Sequence, residues 1–292
     1  MVRRATAVSL ACLLAVGFTP PLRHEAAFAA GCARHAPRTP GPRSPKPQDV
    51  AKVKAELREL LAGVTLPTEI TVPVWVHLLT RGERLVTDDS VRAQIDVLNS
   101  AYAGEFGGVD TGVRFRLDKI AVVDNAAWFA DPVGHESAMK NALHHGGART
   151  LNLYIAQLSQ LMLGFAAYPY WYAGAPALDG VVIDWRSLPG GPMTNYNRGF
   201  TGVHEIGHWL GLFHTFENAC REPGDGIDDT APEARPTEGC PESKDTCAEH
   251  HGADPIHNFM DYAHDRCMRE FTAGQARRMI EMWVAYRTTP AV

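Results

Sequence analysis

Apolar residues along this chain recur at two different spacings, and the change from one to the other outlines its elements. Val50, Val53, Leu57, Leu60 and Leu61 fall three and four apart, which predicts an amphipathic helix over residues 50–62. The run ITVPVWVHLL (70–79) is dense in β-branched residues and predicts a strand. DDSVRAQIDVLNSAYAG (88–104) opens on capping residues and carries Val91, Ile95, Leu98 and Tyr102 at helical spacing. A second strand is predicted at GVRFRLDKIAVV (112–123), a helix over 136–145, and further strands at RTLNLYIAQL (149–158) and GVVIDW (180–185). TGVHEIGHWLGL (201–212) reads as another helix. Periodicity then stops. A long stretch rich in Gly, Pro, Asp and Cys leads to a closing helix at Thr272, where Thr272 and Gln275 form a capping-box pair. This order predicts an α+β fold: a mixed upper lobe, an irregular lower lobe, and a cleft between them.

Composition narrows the setting. The chain has 292 residues, 45% hydrophobic and 21% charged, with a net charge of −5. No basic excess points to nucleic acid. Residues 1–30 read as a secretory signal: Arg3 and Arg4, the apolar run ATAVSLACLLAVGF, then AFAA as a cleavage point. The apolar run is too short to span a bilayer, so no stable membrane insertion is expected once the signal is removed. Residues 31–66 begin Pro- and Arg-rich and are expected to be a pro-segment or linker. Five cysteines follow the signal, and Cys220, Cys240, Cys247 and Cys267 bracket the irregular stretch. An oxidising compartment would favour two disulfides among these four, in any of three pairings. The competing reading is a second zinc site, which the lack of a CxxC pair disfavours.

One motif carries chemistry. In TGVHEIGHWLGLFHTF, His204 and His208 are four apart and share a helix face, so both imidazoles can reach one cation. Glu205 lies beside the pair, placed to hold a water without being a ligand. Gly211 lets the chain leave the helix through a left-handed residue and bring His214 round as a third ligand. This is the HExxHxxGxxH zinc signature, and the turn it requires downstream is present as HNFMDY, with Met260. His77, His135, His144, His145 and His264 are isolated and expected to be surface or satisfied core residues. Trp209 and Leu212 are expected to face the core.

These residues resemble the pappalysin-type (ulilysin-like) metzincins, a family of secreted zinc endopeptidases. The resemblance extends through LNLYIAQL, LGFAAYP, DGVVI, GFTGVHEIGHWLGLFHTFENAC, DGIDDT and HNFMDYAHDRCMREFTAGQ. It implies a metzincin fold over residues 67–292. The upper lobe, about 67–214, would hold a twisted mixed sheet and the active-site helix. The lower lobe, about 215–288, would hold the Met-turn and C-terminal helix. The outermost strand, from the 163–183 region, would align substrate. The resemblance also implies disulfides Cys220–Cys247 and Cys240–Cys267, and calcium held by Asp225, Asp228 and Thr230.

The expected activity is hydrolysis of protein or peptide substrates by a secreted, extracellular monomer. Zinc on three neutral imidazoles polarises a carbonyl and acidifies water. Glu205 would act as general base and then acid. Tyr262 resembles the tyrosine that supports the oxyanion in related enzymes, Met260 the hydrophobic base beneath the histidines, and Asn258 is placed to brace the turn. Asp265 resembles an acidic residue that gives a family member its preference for Arg or Lys after the scissile bond. Cys32, the odd cysteine, could occupy the open zinc position and hold a zymogen latent. The rival class is an inactive zinc-binding homologue used for adhesion. Retention of Glu205 argues against it.

Overall fold

The structure, a computed structural model, describes residues 44–288 except Gln160. The signal segment and Cys32 lie outside the described residues. Ten α-helices and β-strands precede the irregular stretch: α1 (Pro47–Leu60), β1 (Ile70–Thr80), α2 (Asp88–Tyr102), β2 (Val113–Asp124), α3 (Ala126–Ala130), α4 (Glu136–Leu143), β3 (Leu151–Ala156), β4 (Gly164–Ala166), β5 (Val181–Asp184) and α5 (Phe200–Trp209), with three short 3-10 helices between β4 and α5. After it comes α6 (Ala273–Met282), which continues into a π-helical turn, Trp283–Arg287. No helix of the described residues is long and apolar enough to cross a membrane.

The sheet runs β2-β1-β3-β5-β4. The first four strands are parallel, whereas β4 is antiparallel to β5 and forms an edge. Every position of β3 and β5 is buried, as strands covered on both faces require. One face packs on α2 and α5 through Val74, Val76, Leu98, Val203 and Ile206. The other meets α3 and α4 through Leu79, Phe129, Met139 and Val182.

α1 starts three residues before the expected Val50 because Pro47, lacking an N–H, suits the first helical turn. Its face of Val50, Val53 and Leu57 packs against Tyr168, Phe213 and Met282. Lys54 pairs with Asp228 at 2.9 Å, and the Tyr286 hydroxyl donates to Glu56 at 2.8 Å. Although α1 falls within the segment expected to be a pro-segment, its apolar face is part of the core.

α5 is buried at all ten positions, so its surroundings fix it from every side. Gln94 of α2 donates to the carbonyl of Gly199, the residue preceding α5, at 2.9 Å. Tyr102, also on α2, donates to the Val203 carbonyl at 3.0 Å. α6 begins as expected: the Thr272 hydroxyl accepts from the Gln275 amide at 3.1 Å, and Gln275 Oε1 accepts from the Thr272 amide at 3.0 Å.

Candidate metal centre

α5 presents His204 and His208 one turn apart, and the chain then reverses. Gly211 takes φ +96°, its amide bonds to the His208 carbonyl at 2.8 Å, and Leu212 reaches the Gly207 carbonyl at 2.9 Å. The reversal brings His214 back towards the helix. Ligand atoms of His204, His208 and His214 all lie within 4.8 Å of one another. His208 Nε2 is 3.1 Å from His204 Nε2 and 3.0 Å from His214 Nε2.

The outer nitrogens explain that convergence. His204 Nδ1 donates to the Phe259 carbonyl and His208 Nδ1 to the Leu212 carbonyl, each at 2.7 Å. This holds both rings as the Nδ1–H tautomer and leaves the Nε2 lone pairs facing inward. Lone pairs at such spacing repel one another unless a cation lies between them. Zinc–nitrogen bonds of about 2.0–2.1 Å put tetrahedral nitrogens roughly 3.3 Å apart, within a few tenths of the observed spacing. Burial, and then the neighbouring His214, holds the His208 imidazole well below its ordinary pKa, in the neutral form that ligates. The residues fit zinc.

Around the triad, Glu205 is buried and lies against the edge strand. A side-chain carbon at Gly164 of β4 would fall 2.8 Å from Glu205 Oε1. The Tyr262 hydroxyl is 3.1 Å from His214 Nε2. Met260 is fully buried beneath α5, and Gly207 leaves room for its sulfur. Asn258 braces the turn: its Oδ1 accepts from the Met260 amide at 2.9 Å, and its amide pairs reciprocally with that of Gln275. Trp209 and Leu212 are buried, as expected.

Several residues around the site carried no motif. Tyr168 Oη lies 2.9 Å from His208 Nδ1, sharing that hydrogen with Leu212. Its position in LGFAAYP, before the edge-loop turn, was the only available signal. Phe216 stacks on His214 with ring centroids 4.7 Å apart, and Glu217 Oε2 is 3.8 Å from His214 Nδ1.

The remaining candidates are placed as follows. Disulfides join Cys220 to Cys247 and Cys240 to Cys267, with Cα separations of 5.6 and 5.8 Å. Asp265 is buried, accepts from the Arg198 amide at 2.8 Å, and donates its own amide to the Asn195 carbonyl. Its neighbour Arg266 is exposed. Asp225, Asp228 and Thr230 line one cleft of about 260 Å³, but they are engaged separately. Thr230 donates to Asp225 at 2.8 Å, whereas Asp228 turns out to Lys54. His77 is a core residue, bonded to Asn152 at 2.9 Å and stacked on Tyr154.

Comparison with known proteins agrees with this geometry. The peptidase family M43 profile, described as pregnancy-associated plasma protein-A, matches residues 137–284. An extracellular metalloprotease of Sordaria macrospora is 40% identical over 242 residues, covering 79% of this chain and 80% of that protein. One from Verticillium alfalfae is 38% identical over 290 residues, covering 95% and 97%. Mature mirolysin of Tannerella forsythia, solved with a cleaved peptide, superposes with a TM-score of 0.63 at 26% identity, and mirolysin in complex with a compound does so with 0.62 at 27%. Each match covers 77% of this chain and all of that one. With its mixed sheet and histidine triad, the chain is a metzincin metalloendopeptidase of the pregnancy-associated plasma protein-A family and, like its curated relatives, an extracellular one.

Proposed function

We propose that this extracellular endopeptidase cuts peptide chains ahead of Arg or Lys, with zinc held by His204, His208 and His214. The observation that carries the reading is the convergence of three imidazole nitrogens beside a buried carboxylate, Glu205, that lies against an antiparallel edge strand. Zinc, when bound, supplies a Lewis acid that polarises the scissile carbonyl and acidifies water.

The protein's own groups do the rest. β4 can take an extended substrate by strand addition, which sets the scissile bond over the triad. Glu205 is the base that takes the water's proton and the acid that returns it to the leaving amine. The Tyr262 hydroxyl, at the rim of the triad, donates to the oxyanion as it forms. Asp265 supplies specificity: its carboxylate is buried, whereas the side chain of its neighbour Arg266 is exposed. A carboxylate in that setting favours a cationic side chain. A structural calcium is part of the same reading, in the cleft of Asp225, Asp228 and Thr230, and binding there would release Asp228 from Lys54.

The test is cleavage of a peptide library by the purified secreted enzyme. Arg or Lys should follow the cut, Asp265→Ala should erase that preference with zinc retained, and Glu205→Ala should keep zinc and lose hydrolysis. Cleavage before bulky apolar residues by the unmutated enzyme would refute the specificity, and turnover by Glu205→Ala would refute the base.

A further inference from the structure

The last four carbonyls of a helix have no partner within it, and at α5 each is satisfied in a different way. Ile206 accepts from Leu210, Gly207 from Leu212, and His208 from Gly211, all within the reversing turn. The fourth, Trp209, accepts from a residue far along the chain. Arg287 donates to the Trp209 carbonyl through Nε at 3.2 Å and Nη2 at 2.8 Å.

Arg287 has three further bonds. Nη1 donates to the Ala148 carbonyl at 2.8 Å and to Asp179 Oδ2 at 3.0 Å, and Nη2 donates to Asp179 Oδ1 at 3.3 Å. All five guanidinium hydrogens are thereby used. The guanidinium also lies 3.5 Å from the centroid of the Trp209 ring, whose indole N–H donates to the same Asp179 at 3.0 Å. Both side chains of the Arg287–Asp179 pair are fully buried. A cation at this end of α5 also opposes the partial negative charge of the helix terminus.

The same terminal helix touches the turn a second time. Gly211 packs against Met282, so a side chain there would run into Met282 Cγ at 2.5 Å. Met282 and Arg287 therefore press on the five residues that separate His208 from His214.

We propose that Arg287, with Asp179, is a positioning residue of the metal centre: it fixes the end of α5 so that the Gly211 turn delivers His214 to His204 and His208. This rests on the zinc assignment above. A lysine could keep the charge but cannot reproduce the fork that holds Trp209 and Asp179 together.

The test uses the purified enzyme loaded with zinc and challenged with a chromophoric chelator of known affinity. A parallel sample carries cobalt(II), whose visible absorption reports coordination geometry. Arg287→Lys and Asp179→Asn should each raise the zinc dissociation constant about tenfold or more and alter the cobalt spectrum, at temperatures where circular dichroism shows a folded chain. Met139→Ala, in the separate core under α4, is the control for lost stability alone. It should lower the unfolding midpoint while leaving affinity and spectrum as in wild type. If Arg287→Lys and Asp179→Asn bind zinc within twofold of wild type with an unchanged spectrum, Arg287 only stabilises the fold and the proposal fails. Arg287→Met is the harsher variant, and if it does not fold the two milder ones decide. A wild-type enzyme that took up no zinc would overturn the metal assignment instead.

Discussion

Gly164→Ala probes the contact between the edge strand and Glu205. The added methyl carbon would lie 2.5 Å from Glu205 Cγ and 2.8 Å from Oε1. Ordinary carbon–carbon contact is about 3.5–4.0 Å, so one partner must give way by about 1 Å. Cγ is mid-chain, so a rotation of the carboxylate alone does not relieve the clash. Either Glu205 leaves its place or β4 moves, and β4 is only three residues long and paired on one side. A displacement of about 1 Å in a reacting geometry can cost about 10²-fold, which corresponds to roughly 2.7 kcal/mol of transition-state stabilisation. We therefore expect kcat/KM on a peptide substrate to fall about a hundredfold. Bound zinc should stay at one equivalent, because none of the three histidines is touched. Metal analysis and steady-state kinetics on the same sample give both numbers, with Glu205→Ala marking the floor. Activity within threefold of wild type, at full zinc occupancy, would show that Glu205 does not act from the place the structure gives it.

Three further outcomes follow from the same geometry. Gly211→Ala combines a positive φ with the Met282 collision and should cost about 2–4 kcal/mol in urea unfolding; an unchanged midpoint would contradict the turn described. Asn258→Ala leaves the Met260 amide and the buried Gln275 Nε2 without the acceptor they share and should cost about 1–3 kcal/mol, again read by denaturant unfolding. Burial pushes Asp225 up to about 7, so folding favours its protonated form. Its stabilising contribution is full below pH 4 and lost as pH rises through 7, a fall on the order of 4 kcal/mol in calcium-free buffer. Asp225→Asn should remove that slope, and so should calcium if it binds beside Asp225; a slope that survives in the variant would assign it to another group.

How far the sequence could be read depended on where each interaction comes from. β1, β2, β3 and β5 follow from runs of β-branched residues, and α2 from Val91, Ile95, Leu98 and Tyr102. The zinc-type triad was legible because two of its members share one helix and Gly211 explains the third. The surroundings of those histidines were not legible. Two of their partners are the carbonyls of Phe259 and Leu212, and a main-chain carbonyl is present at every residue. Tyr168 reaches His208 across 40 residues of chain, a contact that no local period encodes. β4 is too short for alternation to show, and α3 is a single capped turn after Asn125. The acidic loop shows a different limit. Asp228 has the right chemistry for a cation, but only the fold reveals that Lys54 of α1 is beside it.

The two disulfides each span 27 residues, and their spans overlap, since Cys240 lies inside the first loop and Cys247 inside the second. The chain between α5 and α6 holds no strand or helix of its own, so its local hydrogen bonds belong to separate turns and not to a continuous ladder. Closing a loop of that length removes about 3.5 kcal/mol of denatured-chain entropy per bridge in the chain-entropy account, less than additively where loops interlock. This segment carries His214 at one end and Phe259, Met260 and Tyr262 at the other, so the two bridges tie down both a wall of the site and the carbonyl that orients His204. Reduction returns that entropy to the denatured chain, so it is expected to lower stability and to loosen the cover that Phe259, Met260 and Tyr262 form over α5.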